Sequence, residues 1–212
     1  MMKKLITTLS AVALMAGAVS AQAAGDAEAG KAKTAVCAGC HGADGNSMVP
    51  SFPKLAGQVE KYTFKQLHDM KNGDRNVPQM AAFLPGLSDQ DIEDIAAYYA
   101  SQTPKVGKAN PELVALGEQI FRAGNPESGV TACAGCHGAA GKGMPAAGFP
   151  LLSGQHADYT EAQLKAFRAS GRGDEKGPYR ANDGDSMMMR ATAARLTDSE
   201  IKALASYING LY

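Results

Sequence analysis

Apolar residues along the chain recur three and four positions apart, which is the spacing of one helix face. Two such runs follow a capping box, Ser88 with Asp91 and Thr197 with Glu200. A third follows Asn110-Pro111, a pair suited to an N-cap and a first helical turn. The apolar positions are Ile92, Ile95 and Tyr99; Ile201, Leu204 and Ile208; and Leu113, Leu116, Ile120 and Phe121. No stretch alternates at period two long enough to indicate a sheet, so the pattern predicts an all-α fold.

The chain contains two copies of one unit, offset by about 96 residues. The run Cys37 to Gly42 recurs unchanged as Cys133 to Gly138, and Phe52 to Gln58 recurs in similar form as Phe149 to Gln155. Tyr62, Gln66 and Leu67 match Tyr159, Gln163 and Leu164 on a predicted middle helix. Later matches are offset by 109, so the second copy has an insertion before Leu196, in the Gly/Asp/Pro-rich stretch Gly171 to Ser186, which we expect to be a loop.

The repeat predicts two domains, at residues 24–108 and 109–212. The polar segment 101–111, bounded by Pro104 and Pro111, has the composition of a linker. Residues 1–23 resemble a secretory signal peptide, with Lys3 and Lys4 before an apolar stretch and Ala21-Gln22-Ala23 as the cleavage site. We therefore expect a periplasmic protein.

The charge balance argues against nucleic acid as a partner. The 21 basic and 21 acidic residues cancel, and removal of Lys3 and Lys4 would leave a small negative excess. The expected partners are therefore other proteins, recognised through local patches around an exposed cofactor edge.

All four cysteines lie in two Cys-x-x-Cys-His motifs, Cys37 to His41 and Cys133 to His137. Covalent haem attachment needs two thiols for the two vinyl groups and an imidazole for the iron, and this spacing supplies them on one turn. The motifs therefore predict two covalently bound haem c groups, held through Cys37, Cys40, Cys133 and Cys136, with His41 and His137 as iron ligands. The alternatives are a thioredoxin-like dithiol, a zinc site and structural disulfides.

The register of the repeat suggests the second axial ligands. Six residues lie between Met80 and Leu87, and six between Met189 and the equivalent Leu196. A thioether favours reduced iron and raises the potential, as suits an electron carrier. We predict the pairs His41 with Met80 and His137 with Met189. Met187 and Met188 are alternatives to Met189, and core packing is the alternative role for each methionine.

Three smaller expectations concern the surroundings of these sites. The carbonyls of Pro53 and Pro150 are predicted to accept a hydrogen bond from the ligand histidines. Gly30 and Gly117 are expected to let the first helix of each unit approach the last, near Tyr98 and Tyr207. His68 and His156 do not match each other in the repeat and are expected to be solvated surface residues.

The sequence resembles the cytochrome c4 family of bacterial dihaem cytochromes over nearly the whole mature chain. The resemblance rests on the two haem motifs, on Phe52 to Gln58 and Leu152 to His156, and on shorter segments such as Asn182 to Asp185. It implies two tandem class I cytochrome c domains related by a pseudo-twofold axis. It also implies electron delivery to a respiratory terminal oxidase, often with peripheral membrane association.

The expected function is thus a non-enzymatic electron carrier that links a respiratory donor complex to a terminal oxidase. Two alternatives are a dihaem subunit of a flavocytochrome and a dihaem redox enzyme, such as a thiosulfate dehydrogenase or a peroxidase. An enzyme of this kind needs an open axial position or a different sixth ligand, and the chain has no spare cysteine to provide one.

Overall fold

The computed structural model describes residues 25–174 and 178–212. The predicted signal peptide, residues 1–23, lies outside these ranges. The described helices are α1 (Ala27–Lys33), α2 (Ala38–His41), α3 (Glu60–Asn72), α4 (Asp89–Ala100), α5 (Pro111–Ala123), α6 (Ala134–His137), α7 (Ala157–Arg172), α8 (Met188–Ala193) and α9 (Asp198–Gly210). A 3₁₀ turn spans Pro145–Ala147. Within the described ranges the only β-pairings are two isolated bridges, which agrees with the all-α prediction.

The predicted helix starts are confirmed. Ser88 and Thr197 each accept a hydrogen bond from the third helical N–H, and the carboxylates of Asp91 and Glu200 accept one from the backbone N–H of the cap residue. Asn110 caps α5 through a bond from the N–H of Glu112. The predicted loop at 171–186 begins slightly later than expected, because α7 continues to Arg172 before Gly173 ends it in the left-handed conformation.

Each domain is built around the crossing of its first and last long helices, α1 with α4 and α5 with α9. The crossings depend on glycine, as predicted for Gly30 and Gly117. A Cβ on Gly117 would lie 2.4 Å from the Ala203 carbonyl oxygen, and one on Gly30 would lie 2.0 Å from that of Asp94. The close neighbour of Gly30 is therefore Asp94 rather than Tyr98.

In the described ranges, buried side chains form one apolar cluster in each domain. The larger lies in the second domain, where α5, α7 and α9 meet around Ile120, Phe121, Leu204 and Ile208. The smaller contains Ile95, Tyr98 and Tyr99 of α4, with Cys37 and Leu67 packed against it. Cysteines of the haem motifs thus border both cores, because Cys133 packs on the larger cluster.

The two domains contact each other through a matched pair of glutamines. Gln58 Nε2 donates to the Leu151 carbonyl oxygen at 3.0 Å, and its Oε1 accepts from the Leu151 N–H at 2.8 Å. Gln155 makes the same two bonds, both 2.9 Å, with the backbone of Lys54. Since Gln155 and Leu151 are the repeat equivalents of Gln58 and Lys54, the contact has pseudo-twofold symmetry.

His156, expected on the surface, lies in this interface instead, so that prediction was wrong. Its Nε2 is 2.9 Å from both the carbonyl oxygen and the hydroxyl of Ser47 in the other domain. The reason is its position directly after Gln155, which holds the backbone against the first domain. His68 is half-buried on α3, where its ring stacks on Phe64, so it is not fully solvated as expected.

Candidate functional site

The cysteine motifs form the short helices α2 and α6, with Cys37 and Cys133 as their N-caps. The N–H groups of Cys40 and His41 both bond to the Cys37 carbonyl, so a single turn holds the two thiols and the imidazole together. The second motif repeats these bonds with Cys133. The local fold therefore presents the groups that haem attachment requires, twice.

Both motif histidines are buried and oriented by a proline carbonyl. His41 Nδ1 lies 2.9 Å from the Pro53 oxygen, and His137 Nδ1 lies 3.1 Å from that of Pro150, which confirms the predicted contacts. A carbonyl oxygen can only accept, so Nδ1 carries the proton and Nε2 is left to bind a metal. Burial lowers the pKa of both rings more than this hydrogen bond raises it. Both imidazoles are thus held in the neutral form that binds iron.

The cysteines do not have the properties of a redox dithiol. Burial raises the pKa of Cys37 and raises that of Cys133 to about 11. A catalytic dithiol needs the opposite, a stabilised thiolate. Nor do three or more His, Cys, Asp or Glu residues cluster as a metal site anywhere in the described ranges.

One continuous cavity of about 1410 Å³ joins the two motifs. This volume exceeds the roughly 300–1,000 Å³ of a pocket for one small ligand. All eight predicted site residues line it, namely Cys37, Cys40, His41, Met80, Cys133, Cys136, His137 and Met189. The fold therefore brings both sets of predicted ligands to a shared space between the domains.

The three consecutive methionines differ in position. Met189 lines the cavity and packs against the second core cluster. Met188 also lines the cavity but is 46% exposed. Met187 does not line it, and it precedes α8 with a φ of 50°, a left-handed conformation that is uncommon for a side chain other than glycine. The geometry favours Met189, then Met188, and disfavours Met187.

Polar groups in the cavity fit a ligand that carries anionic groups. Arg75 and Arg180 are both buried and line it, and their side-chain partners are neutral oxygens. Thr63 Oγ1 is buried there and has no hydrogen-bond partner among the described residues. A haem provides two vinyl groups for the thiols, an iron for the histidine and two carboxylates for the cations, so the donor set fits it.

The arginines and their neighbours were not singled out by the sequence reasoning. Tyr62, Gln66 and their repeat equivalents were recognised as matched positions, but only as parts of a middle helix. A repeated glutamine on an otherwise amphipathic helix was the available signal, because ordinary core positions are not glutamine. Nothing comparable identified Arg180, which lies in the inserted stretch that has no counterpart in the first copy.

Comparison with known proteins supports the same conclusion. A family model described as Cytochrome c matches residues 27–103 and again 114–211. The chain is 52% identical over 211 residues to cytochrome c4 of Pseudomonas aeruginosa, and the alignment covers 100% of each protein. The chain belongs to the cytochrome c4 family. The crystal structure of reduced recombinant cytochrome c4 from Pseudomonas stutzeri matches with a TM-score of 0.83 at 52% identity, covering 89% of this chain and 100% of that one.

A more distant relative is the thiosulfate dehydrogenase electron acceptor of Thiomonas intermedia. It is 33% identical over 213 residues, which cover 98% of this chain and 90% of that protein.

The predicted boundary between residues 108 and 109 falls in the segment between the two family-model matches. As a cytochrome c4 family member, this protein has two cytochrome c domains with a covalent haem c in each, and it is an electron carrier rather than an enzyme.

Each bound haem supplies a one-electron iron couple. The chain contributes the thiols that fix the macrocycle and the proline carbonyls that orient the imidazoles. The glutamine bridges then hold the two domains against each other around the common cavity.

Among the described residues, no helix has the length and apolar character needed to span a bilayer.

Proposed function

We propose that this protein is a periplasmic carrier that takes electrons from a respiratory donor complex and delivers them to a terminal oxidase. The observation that carries the proposal is a continuous cavity lined by both haem motifs. Because both sites open to it, an electron that enters at one haem has a second haem of the same chain as its neighbour. The signal-like residues 1–23 support the periplasmic location.

We also propose His41 with Met80, and His137 with Met189, as the axial pairs. Each methionine lines the same cavity as the histidine of its domain. With both axial positions filled by the protein, a substrate has no coordination site, which is the arrangement expected of a carrier. The thioether also favours ferrous iron and so raises the reduction potential.

Carbon monoxide binding to the reduced protein tests the ligand assignment. Met80→Ala and Met189→Ala should each keep both haems attached and open one iron to carbon monoxide, while Met187→Ala should behave as wild type. Carbon monoxide binding by Met188→Ala, together with none by Met189→Ala, would transfer the second assignment to Met188. No binding by Met80→Ala would overturn the first.

The respiratory role is tested by electron delivery. Protein purified from the periplasm and reduced chemically should be reoxidised by membranes that contain a terminal oxidase, and an inhibitor of that oxidase should block the reaction. Reoxidation that is slow and insensitive to the inhibitor would refute the role. Recovery of the holoprotein only from the cytoplasm would refute the location.

The Thiomonas relative favours a second candidate, an electron acceptor for thiosulfate dehydrogenase. Reduction of both haems by thiosulfate in the presence of that enzyme, but not by thiosulfate alone, would support it. Persistent copurification with a flavoprotein would instead indicate a fixed subunit.

A further inference from the structure

Tyr99, near the end of α4, carries a buried hydroxyl without a partner. The residue is 1% exposed, and its Oη has no hydrogen-bond partner within the described ranges. Native structures rarely leave a buried donor unpaired unless a bound group completes it. The side chain of Tyr99 lines the cavity that joins the two haem motifs. Its hydroxyl is therefore a polar group of the first domain that awaits a partner at the haem site.

The ring of Tyr99 is held in place by close packing on several sides. Gly45, at a φ of 73°, lets the ring approach the backbone, since a Cβ there would lie 2.8 Å from Tyr99 Cδ1. The ring of Tyr98 packs beside it, with 5.2 Å between the two centroids. The carbonyl oxygen of Tyr99 accepts a hydrogen bond from the Gly57 N–H at 2.8 Å. The phenol thus keeps its hydroxyl inside the domain, away from solvent.

The sulfur of Cys37 is the neighbour that matches this hydroxyl. Cys37 packs against the apolar cluster that contains Tyr99. Burial is the main cause that raises the pKa of the Cys37 thiol, and the nearby Tyr99 hydroxyl opposes that rise. After addition to a haem vinyl group, the sulfur has no proton and can only accept a hydrogen bond, as the thioether of methionine does. A phenol O–H donates, so the two groups are complementary in the haem-bound protein.

The second domain has an isoleucine at the equivalent position. The offset of 109 that relates α4 to α9 pairs Tyr99 with Ile208. Ile208 is also buried and lines the cavity, in the core cluster against which Cys133 packs. Burial raises the pKa of Cys133 to about 11, and a backbone hydrogen bond, rather than a side-chain hydroxyl, opposes that rise. The surroundings of the two attachment sulfurs therefore differ by the hydroxyl of Tyr99.

We propose that Tyr99 tunes the reduction potential of the first haem by donating a hydrogen bond to the thioether sulfur of Cys37. The O–H presents the positive end of its dipole to the edge of the macrocycle. Reduction adds one electron to the haem, so this end of the dipole stabilises the ferrous state and raises the potential. Hydrogen bonding close to a cofactor is one of the means by which a protein sets its potential. The effect requires only the haem at Cys37, whatever the second axial ligand or the partner protein.

Thr34 is the competing acceptor for the same O–H. Its hydroxyl donates to the Lys31 carbonyl oxygen at 2.9 Å, which leaves its oxygen free to accept. Burial is the main cause that raises the pKa of Tyr99, and both Cys37 and Thr34 act on it as neighbours. A bond to Thr34 would turn the dipole away from the sulfur and leave the haem unaffected. The two acceptors are therefore separated by whether the first haem responds when the hydroxyl is removed.

Potentiometric titration of the holoprotein, with each haem followed through its own methyl resonances in NMR spectra, tests the role of Tyr99. In Tyr99→Phe, the oxidised-to-reduced ratio of the first haem at a fixed solution potential should rise about threefold, equivalent to about 28 mV for a one-electron couple. The ratio of the second haem should be unchanged. Tyr98→Phe is the matched control, because Tyr98 does not line the cavity and its hydroxyl donates to the Ala43 carbonyl oxygen. It should leave both ratios unchanged.

Redox-difference infrared spectra of the holoprotein provide a second readout, of the hydrogen bond itself. A tyrosine C–O–H band that is sensitive to deuterium oxide should respond to reduction of the first haem, disappear in Tyr99→Phe and persist in Tyr98→Phe. The proposal would be overturned by a Tyr99→Phe protein, with both haems attached, in which the first ratio is unchanged, as a bond to Thr34 predicts. It would equally be overturned by the same rise at both haems, by the same rise in Tyr98→Phe, or by a wild-type spectrum without the tyrosine band.

Discussion

Replacement of Gln58 by alanine isolates the contribution of the domain contact to stability. The substitution removes both side-chain bonds to the backbone of Leu151, a residue that is 8% exposed. A buried backbone group left without a partner costs about 1–3 kcal/mol. With two such groups, and some water admitted into the gap, Gln58→Ala should lower the free energy of unfolding by about 2–4 kcal/mol.

The repeat supplies an internal comparison. Gln155→Ala removes the equivalent bonds to Lys54, but Lys54 is only partly buried, so water can replace them more readily. We expect a loss of about 1–2 kcal/mol there. Gln119, exposed on α5, is the control, and its replacement by alanine should change stability by less than about 0.5 kcal/mol.

Urea denaturation of the holoprotein, followed by far-ultraviolet circular dichroism, measures these differences by linear extrapolation. The haems are covalently attached, so they stay with the chain in the unfolded state and do not add a dissociation step. The expected order of destabilisation is Gln58→Ala, then Gln155→Ala, then Gln119→Ala. The reasoning fails if Gln155→Ala costs more than Gln58→Ala, or if Gln58→Ala cannot be distinguished from the control.

Two further predictions concern the helix crossings and the acid limb of stability. Gly117→Ala should lower the melting temperature and reduce the free energy of unfolding by about 1–3 kcal/mol, because the new Cβ would lie 2.4 Å from a backbone oxygen of α9. Gly86→Ala is the control, since a Cβ there would have no heavy atom within 4 Å and should leave the melting temperature unchanged. Equal melting temperatures for the two variants would refute the predicted clash. The hydrogen bond from Lys33 is the main cause that lowers the pKa of Asp94 from 3.8 to about 2. The contribution of ionised Asp94 to the stability of the folded protein is therefore complete above pH 3.8 and is lost as the pH falls through 2. Between these pH values, the free energy of unfolding should therefore depend less steeply on pH in Asp94→Asn than in wild type. A slope equal to that of wild type would contradict the assignment.

The sequence identified the parts of the site that depend on local spacing. The cysteine motifs and the capping boxes at Ser88 and Thr197 are determined within a few residues of chain, and the proline acceptors for His41 and His137 lie within 13 residues of their histidines. Repeat register extended this to Met80 and Met189, both of which line the cavity. Their role as ligands stays a prediction.

The interdomain features could not be found in this way, because they arise only when distant segments meet. Arg180 is 105 residues from Arg75, and neither resembles a site residue in its own segment. His156 shows the same difficulty, since its neighbours along the chain are polar while its contact, Ser47, is 109 residues away. Matched glutamines at Gln66 and Gln163 were visible in the repeat, but their common role required the facing domain.

The reciprocal glutamine bridges have the symmetry of a homodimer, although both halves belong to one chain. Two separate one-domain proteins with these residues would pair through the same contacts only at sufficient concentration. The short segment 101–110 instead holds the halves together at an effective local concentration on the order of millimolar. The two haem sites therefore face each other however much protein the cell makes. Dilution into a large compartment does not separate the two domains.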